Sequence, residues 1–210
     1  MNNLTPFYDT FYNAVNASWP MLTLFVVIIV AIRLSYIIIN KEKIVVYKEF
    51  YGLIAILYFM LLYYLLLSTE NASHGVNFIP FREISRYTIG SKLFVYNVIG
   101  NIVLFIPFGY FVSDYLKAKR TFHILFISIL ISLTAELIQY KIGRAFDVDD
   151  IILNVVGAII GFMIYISFQA IKNHLPKALQ SNWFYNLLAI LVLIGLVVLF
   201  GSIWGVRLHG

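Results

Sequence analysis

Residues 136–161 read E-L-I-Q-Y-K-I-G-R-A-F-D-V-D-D-I-I-L-N-V-V-G-A-I-I-G. Glu136, Gln139, Arg144, Asp147, Asp149, Asp150 and Asn154 fall within this stretch, between two strongly apolar runs. The chain around them is 61% hydrophobic and only 12% charged. Apolar runs on both sides make the stretch a turn between two membrane helices. Charged and amide groups at such a mouth are costly unless they pair or bind something. The function is therefore expected here.

Working outward, a mean hydropathy of +0.88 marks a polytopic membrane protein rather than a soluble core. A length of 210 residues has room for about six spans of roughly 20 residues in one membrane domain, with no soluble domain attached. With no cysteine, disulfides and thiolate metal sites are excluded. Residues 1–18 lack a basic leader region and a small-residue cleavage site, so the first apolar segment is expected to stay as an anchor. The net charge of +5 is scattered over loops. It suits topology and anionic lipid, and no nucleic-acid partner is expected.

The expected architecture is an all-α polytopic membrane protein, six transmembrane helices in one bundle. The spans are read at 19–39, 50–67, 96–113, 122–140, 150–168 and 185–204. The loops after spans one, three and five carry Lys41, Lys43, Lys48, Lys117, Lys119, Arg120, Lys172 and Lys177. The opposite side carries Arg82, Arg86, Lys92, Lys141, Arg144 and Arg207. Arg33 can snorkel toward the first set and add to its excess. Both termini and the longest loop, 68–95, are therefore expected to be extracytoplasmic.

That orientation gathers the unusual polar residues on one face. Ser128, Ser132 and Glu136 recur every four residues, with Gln139 three further on, a single stripe on span four. Asp147, Asp150 and Asn154 open span five, Asn97 and Asn101 lie a turn apart on span three, and Asn77 and Arg82 stand in the long loop. Plainer roles compete. Asp150 suits the helix cap of span five, and Asp149 reads as a solvated charge of that cap region. Asn97, Asn101 and Asn154 suit interhelical hydrogen bonding, and Gly157-x-x-x-Gly161 suits close helix packing. Pro107 and Gly109 suit a kink, and Ser128 and Ser132 suit back-bonding within their helix. For Glu136 the plain reading is a buried ion pair with Arg144 or Arg82, and for Arg144 a pair with Asp147. His74 and His123 fall on opposite faces and form no metal pair; His174 and His209 stand alone.

The same residues carry a family resemblance. N-x-I-P-F-R (77–82), N-x-x-x-N-I-V-L-F-I-P-F-G (97–109), E-L-I-Q (136–139), G-R-x-F-D-x-D-D (143–150) and N-V-V-G-x-x-x-G (154–161) together resemble the VanZ-like family. That family takes its name from a bacterial membrane protein associated with reduced susceptibility to the glycopeptide teicoplanin. The resemblance covers about residues 50–170, four of the six spans. It implies a VanZ-like four-helix membrane domain over 50–170, preceded by an N-terminal tail, helix and loop (1–49) and followed by a loop and C-terminal helix (171–210). It also implies a multi-pass protein of the bacterial cell membrane. The positions matching the family's polar motif are Glu136, Gln139, Arg144, Asp147, Asp150 and Asn154, with Pro80 and Arg82 from the outer loop.

Two functions stand side by side. In the first, an enzyme acts on an anionic envelope lipid or lipid-linked cell-wall precursor. Glu136 is its general acid/base, and Arg82 and Arg144 grip phosphate or carboxylate through paired hydrogen bonds. Asp147 and Asp150 then hold Mg²⁺ or Ca²⁺ through hard oxygens, or orient the arginines. In the second, the same groups, with Gln139, Asn154, Asn101, Asn97 and Asn77, only bind such a ligand and limit glycopeptide access. A small-solute transporter is the least suited reading, since spans two and six offer almost no polar residues. Ser-x-x-Lys, G-x-S-x-G and H-E-x-x-H motifs are absent, so a standard hydrolase or zincin has no support. The sequence does not indicate an oligomeric state.

Overall fold

Within a bilayer a backbone can satisfy its N–H and C=O groups only by closing on itself, so long apolar runs become helices. In the computed structural model, which describes residues 5–67 and 75–208, they do. The helices are α1 (Thr5–Asn40), α2 (Val46–Leu67), α3 (Lys92–Leu116), α4 (Thr121–Lys141), α5 (Val148–His174) and α6 (Asn182–Leu208). They correspond in order to the six expected spans. Among the described residues, α1 to α5 contain segments long and apolar enough to cross a membrane, and α6 adds a shorter apolar stretch over Asn182–Gly195. The first part of the expected outer loop, with His74, and the residue His209 lie outside the described residues.

One boundary differs from expectation. Helix α1 begins at Thr5 rather than near Trp19 and runs for 36 residues with Pro20 inside it. At a rise of 1.5 Å per residue that is about 54 Å, well beyond the roughly 30 Å of hydrocarbon it has to cross. The residues before Trp19, expected as a tail, continue the helix although most of them (Thr, Asp, Asn, Tyr, Phe) are weak helix formers.

The chain divides into two units, Met1–Thr23 with Leu57–Gln169, and Leu24–Ile56 with Ala170–Gly210. The core of the first is built from α2, α3, α4 and α5, with Leu62, Phe105, Phe108, Ile124, Ala158 and Phe162 at its centre. Glycines set the approach of α3 to α5. A Cβ on Gly157 would meet the carbonyl oxygen of Ile102, and one on Gly161 that of Ile106. A Cβ on Gly109 would meet the carbonyl oxygen of Ala158. The expected G-x-x-x-G packing is thus present, and Gly109 serves it from the opposite helix. Tyr58 of α2 donates its hydroxyl to Leu104 O of α3 at 2.7 Å, in the turn before Pro107.

In the second unit, Arg33 grips both oxygens of Glu49 at 2.8 Å and reaches Glu42 at 3.1 Å. Tyr47 ties to α6 by its N–H to Asn186 Oδ1 (3.0 Å) and its hydroxyl to Asn182 Oδ1 (3.2 Å).

The site-bearing part of the first unit is a two-stranded parallel ladder. β1 (Val76–Asn77) pairs with β2 (Phe146–Asp147) in the register Val76 to Phe146 and Asn77 to Asp147. It brings the α2–α3 connection beside the α4–α5 junction.

Candidate functional site

Helix α4 ends with Gly143 in the left-handed region, φ +96°, which an L side chain adopts only with strain. This turn sends the Arg144 N–H back to Gln139 O at 3.0 Å, in the pattern that closes many helix C-termini. It places Arg144 over the last turns of α4, where Glu136 and Gln139 lie. Two residues later β2 begins, and Asp147 becomes the N-cap of α5. Its Oδ1 accepts the N–H of Asp149 at 2.9 Å. The cap expected from Asp150 is therefore supplied by Asp147, which stands just outside the first helical turn where a side chain can reach back to the second amide.

Asp147 Oδ1 also accepts from Asn77 Nδ2 at 2.9 Å, and Asn77 Oδ1 accepts the N–H of Ile79 at 3.1 Å. Burial holds the Asp147 carboxyl above its ordinary range, with the Asp149 amide and Asn77 opposing as donors and the charges of Asp149 and Glu83 adding to the shift.

Glu136 is 2% exposed. Its hydrogen bond among the described residues comes from the backbone N–H of Asp147, 3.0 Å from Oε2. It feels the negative charges of Asp150 and Asp147 and the positive charge of Arg144. The ion pairs anticipated for it are not formed. Among the described residues neither Arg144 nor Arg82 has a carboxylate within ion-pair distance. The Gly143 turn holds Arg144 within Coulombic but not contact range, and Arg82 is exposed. Glu136 thus remains a buried carboxyl whose sole hydrogen-bond donor among the described residues is a neutral amide.

Around it, Asp150 is half-buried and accepts from Asn101 Nδ2 of α3 at 2.6 Å. One turn deeper, Asn154 Nδ2 donates to Ser132 Oγ of α4 at 2.9 Å, and both residues are buried. Asn154 Oδ1 is buried and accepts nothing among the described residues. Ser128 back-bonds to Leu125 O at 3.0 Å as expected, whereas Ser132 is engaged across helices. Gln139 Nε2 donates to Leu66 O of α2 at 2.6 Å. Asn97 is half-buried in a π-helical stretch, Val95–Ile99, at the start of α3; such bulges recur at functional sites.

The largest correction concerns Asp149. Expected as a solvated charge, it is 1% exposed. Its Oδ1 accepts the N–H of Phe81 at 2.5 Å, and its Oδ2 those of Glu83 at 2.8 Å and Ile84 at 3.2 Å. The loop's backbone amides solvate the carboxylate in place of water. Only the I-P-F-R turn signal at 79–82 hinted that amides would need an acceptor. Tyr87 carried no signal at all. It lies half-buried near the cluster, its phenol held above its ordinary value by burial and by the carboxylates of Glu83, Asp150 and Asp147.

No group of three or more His, Cys, Asp or Glu among the described residues is placed to hold a metal ion. The carboxylates of Asp147 and Asp149 are instead engaged by amide donors.

A family model described as VanZ/LLP1 matches residues 50–172, more than half of the chain. The chain belongs to the VanZ/LLP1 family. The match runs from within α2 to within α5 and includes the whole cluster, so the candidate site of this VanZ-like protein lies entirely within its family region. Family and apolar helices together make it a multi-pass membrane protein. No curated protein and no solved structure matches the chain.

Proposed function

We propose that this VanZ-like protein uses the cluster around Glu136 to bind, and act by acid–base chemistry on, an anionic envelope lipid or lipid-linked cell-wall precursor. The observation that carries the reading is Glu136 itself. It is a buried carboxyl with a single amide donor and no ion pair among the described residues, beside the half-buried Asp150. A carboxyl so placed exchanges a proton more readily than it fills a scaffold role. Arg144 supplies the attraction for an anionic headgroup, and Asn154 Oδ1, without a partner among the described residues, suits a donor such as a ligand hydroxyl. In this reading the site opens on the extracytoplasmic face of a bacterial membrane, with both termini on that side. The lysine and arginine distribution supports this, as does the reach of Arg33 to Glu42 and Glu49 at the α1–α2 connection.

A second reading, binding without turnover, has its own support. Asp149 spends both oxygens on loop amides, while Asp147 and Asp150 each commit Oδ1 to scaffold donors, so much of the cluster's carboxylate capacity is used in holding the fold, as a binding site requires. A protein that only sequesters a precursor would lower glycopeptide susceptibility by limiting access.

The deciding experiment incubates the purified protein with radiolabelled envelope lipids, with Glu136→Gln as control. A product formed by the wild type and lost in a folded Glu136→Gln supports the acid–base reading. Lipid binding without product, equal in both proteins, replaces it with sequestration.

A further inference from the structure

Residues 78–93 read F-I-P-F-R-E-I-S-R-Y-T-I-G-S-K-L and connect β1 to the first turn of α3. Large apolar side chains here face outward. Phe78 is 73% exposed, Ile79 and Phe81 58%, Ile89 86% and Leu93 62%. Elsewhere in the first unit, exposed apolar groups of this size are expected on helices that cross a bilayer, where lipid covers them. Residues 78–91 are no such helix: they contain a short 3₁₀ turn, Ile84–Arg86, and otherwise irregular backbone, and only Lys92 and Leu93 belong to the first turn of α3.

Its exposure is built in. Asp149 fixes the amides of Phe81, Glu83 and Ile84, Asn77 fixes that of Ile79, and the Ser85 N–H bonds to Phe81 O at 3.1 Å. Phe81 adopts φ +64°, a conformation a bulky residue holds only when its surroundings impose it. The result is a rigid apolar lip. Cations are interleaved with it: Arg82, Arg86 and Lys92 against the single carboxylate of Glu83, a surplus of two. Arg82 and Lys92 are exposed, and Glu83 is engaged by Arg86.

The ladder of β1 with β2 places the base of this lip beside the end of α4 and the start of α5, and its far end runs into α3. Three candidate spans thus terminate at its level, which puts it where hydrocarbon gives way to headgroups.

We propose that residues 78–93 form a docking surface that dips into an anionic phospholipid leaflet, the apolar side chains entering the acyl boundary and Arg82 and Lys92 meeting phosphates. Aromatic and aliphatic groups bordered by arginine and lysine match that interface in both polarity and charge. The inference is independent of the chemistry at Glu136, so Glu136→Gln should leave the docking intact.

The absence of native cysteine makes the test clean. Single cysteines at Ile79, Ile89 and, as a solvent-exposed reference, Lys119 are labelled with an environment-sensitive fluorophore in lipid nanodiscs. With about 30% phosphatidylglycerol in phosphatidylcholine, iodide should quench positions 79 and 89 about threefold less than 119, and lipid-borne quenchers should do the reverse. Arg82→Gln with Lys92→Gln should remove the gain contributed by the anionic lipid. Iodide quenching at 79 and 89 equal to that at 119 overturns the proposal. Shielding from iodide without quenching by lipid-borne groups also overturns it, and assigns the lip to contact with a second copy. Lipid quenching indifferent to anionic lipid overturns the charge recognition.

Discussion

The carboxylate of Asp149 and the backbone amide of Phe81, far apart in sequence, share a 2.5 Å hydrogen bond at the base of the outer loop. Removing the carboxylate would orphan three amides at once, and hydrogen bonds to charged acceptors are worth about 1.5–3 kcal/mol each. Asp149→Ala should therefore release the loop at a cost of about 3 kcal/mol or more, while the helices persist. Trypsin reads this directly, because Arg82 and Arg86 lie in the released segment. Cleavage there should accelerate in Asp149→Ala, and less in Asp149→Asn, which keeps one carbonyl oxygen. Unchanged cleavage in both would separate Asp149 from the loop.

Asp147 gives a pH signature. Its carboxyl is raised above the ordinary range chiefly by burial, so over the window from that range up to the raised value the folded state holds the proton more tightly than the unfolded state. Stability therefore falls as pH rises through the window, opposite to an ion-paired carboxylate. Asp147→Asn retains the capping oxygen but does not titrate. Melting temperatures in detergent should decline less from pH 4 to pH 7 in Asp147→Asn than in the wild type. Parallel declines would refute the assignment.

Arg144 and Arg82 should differ as ligand-binding groups. Arg144 is half-buried within reach of the charges of Glu136 and Asp150, whereas Arg82 is exposed on the lip. Lysine keeps the charge and loses the planar fork. Binding of a lipid-linked pyrophosphate should weaken about tenfold in Arg144→Lys and less than about twofold in Arg82→Lys. Equal losses would place both guanidinia on the ligand.

Orientation is checked with the same cysteine-free background. Cysteines at Thr88 and Lys119 lie on connections at opposite ends of α3. An impermeant thiol reagent added to intact cells should label Thr88→Cys and leave Lys119→Cys unmodified. The reverse pattern would invert the topology.

Much of this architecture was legible because a bilayer leaves so few options. The six apolar runs became six helices, the glycines at 157 and 161 packed as their spacing indicated, and the cluster of Asn77, Asn101, Glu136, Asp147 and Asp150 forms around one junction. What could not be read was which oxygen meets which hydrogen. D-V-D-D offers three carboxylates within four positions. Cap, loop anchor and site carboxyl are assigned among them by the β1–β2 ladder, a long-range pairing of two residues each, too short to leave a periodic pattern. For the same reason the expected ion pairs failed. Arg144 was near Asp147 in sequence, but the Gly143 turn decides where its side chain goes.

Packing at the α3–α5 contact can be tested by adding single methyl groups. Gly161→Ala and Gly157→Ala should each cost about 1–3 kcal/mol, since backbone rather than a flexible side chain stands in the way. Gly52→Ala in α2, with nothing within 4 Å, should be neutral or gain up to about 1 kcal/mol in helix propensity. Thermal unfolding of the three variants distinguishes them, and equal melting temperatures would mean that the helices are free to separate.

The glycine contact has a mechanical consequence for anything entering from the side. With backbone against backbone, α3 and α5 behave as one fixed post, and Asn101, Asp150 and Asn154 are mounted on it. Helix α4 is held to its neighbours here by side-chain links: Ser132 to Asn154, Gln139 to the Leu66 carbonyl, and Glu136 to the Asp147 amide. Interhelical hydrogen bonds of this kind are worth only about 0.6 kcal/mol each. Around the cluster, α4 is therefore the wall with the more yielding links, although Ile124 anchors its other end in the core, and Glu136 rides on it. Admitting a headgroup and repositioning the acid would be the same movement.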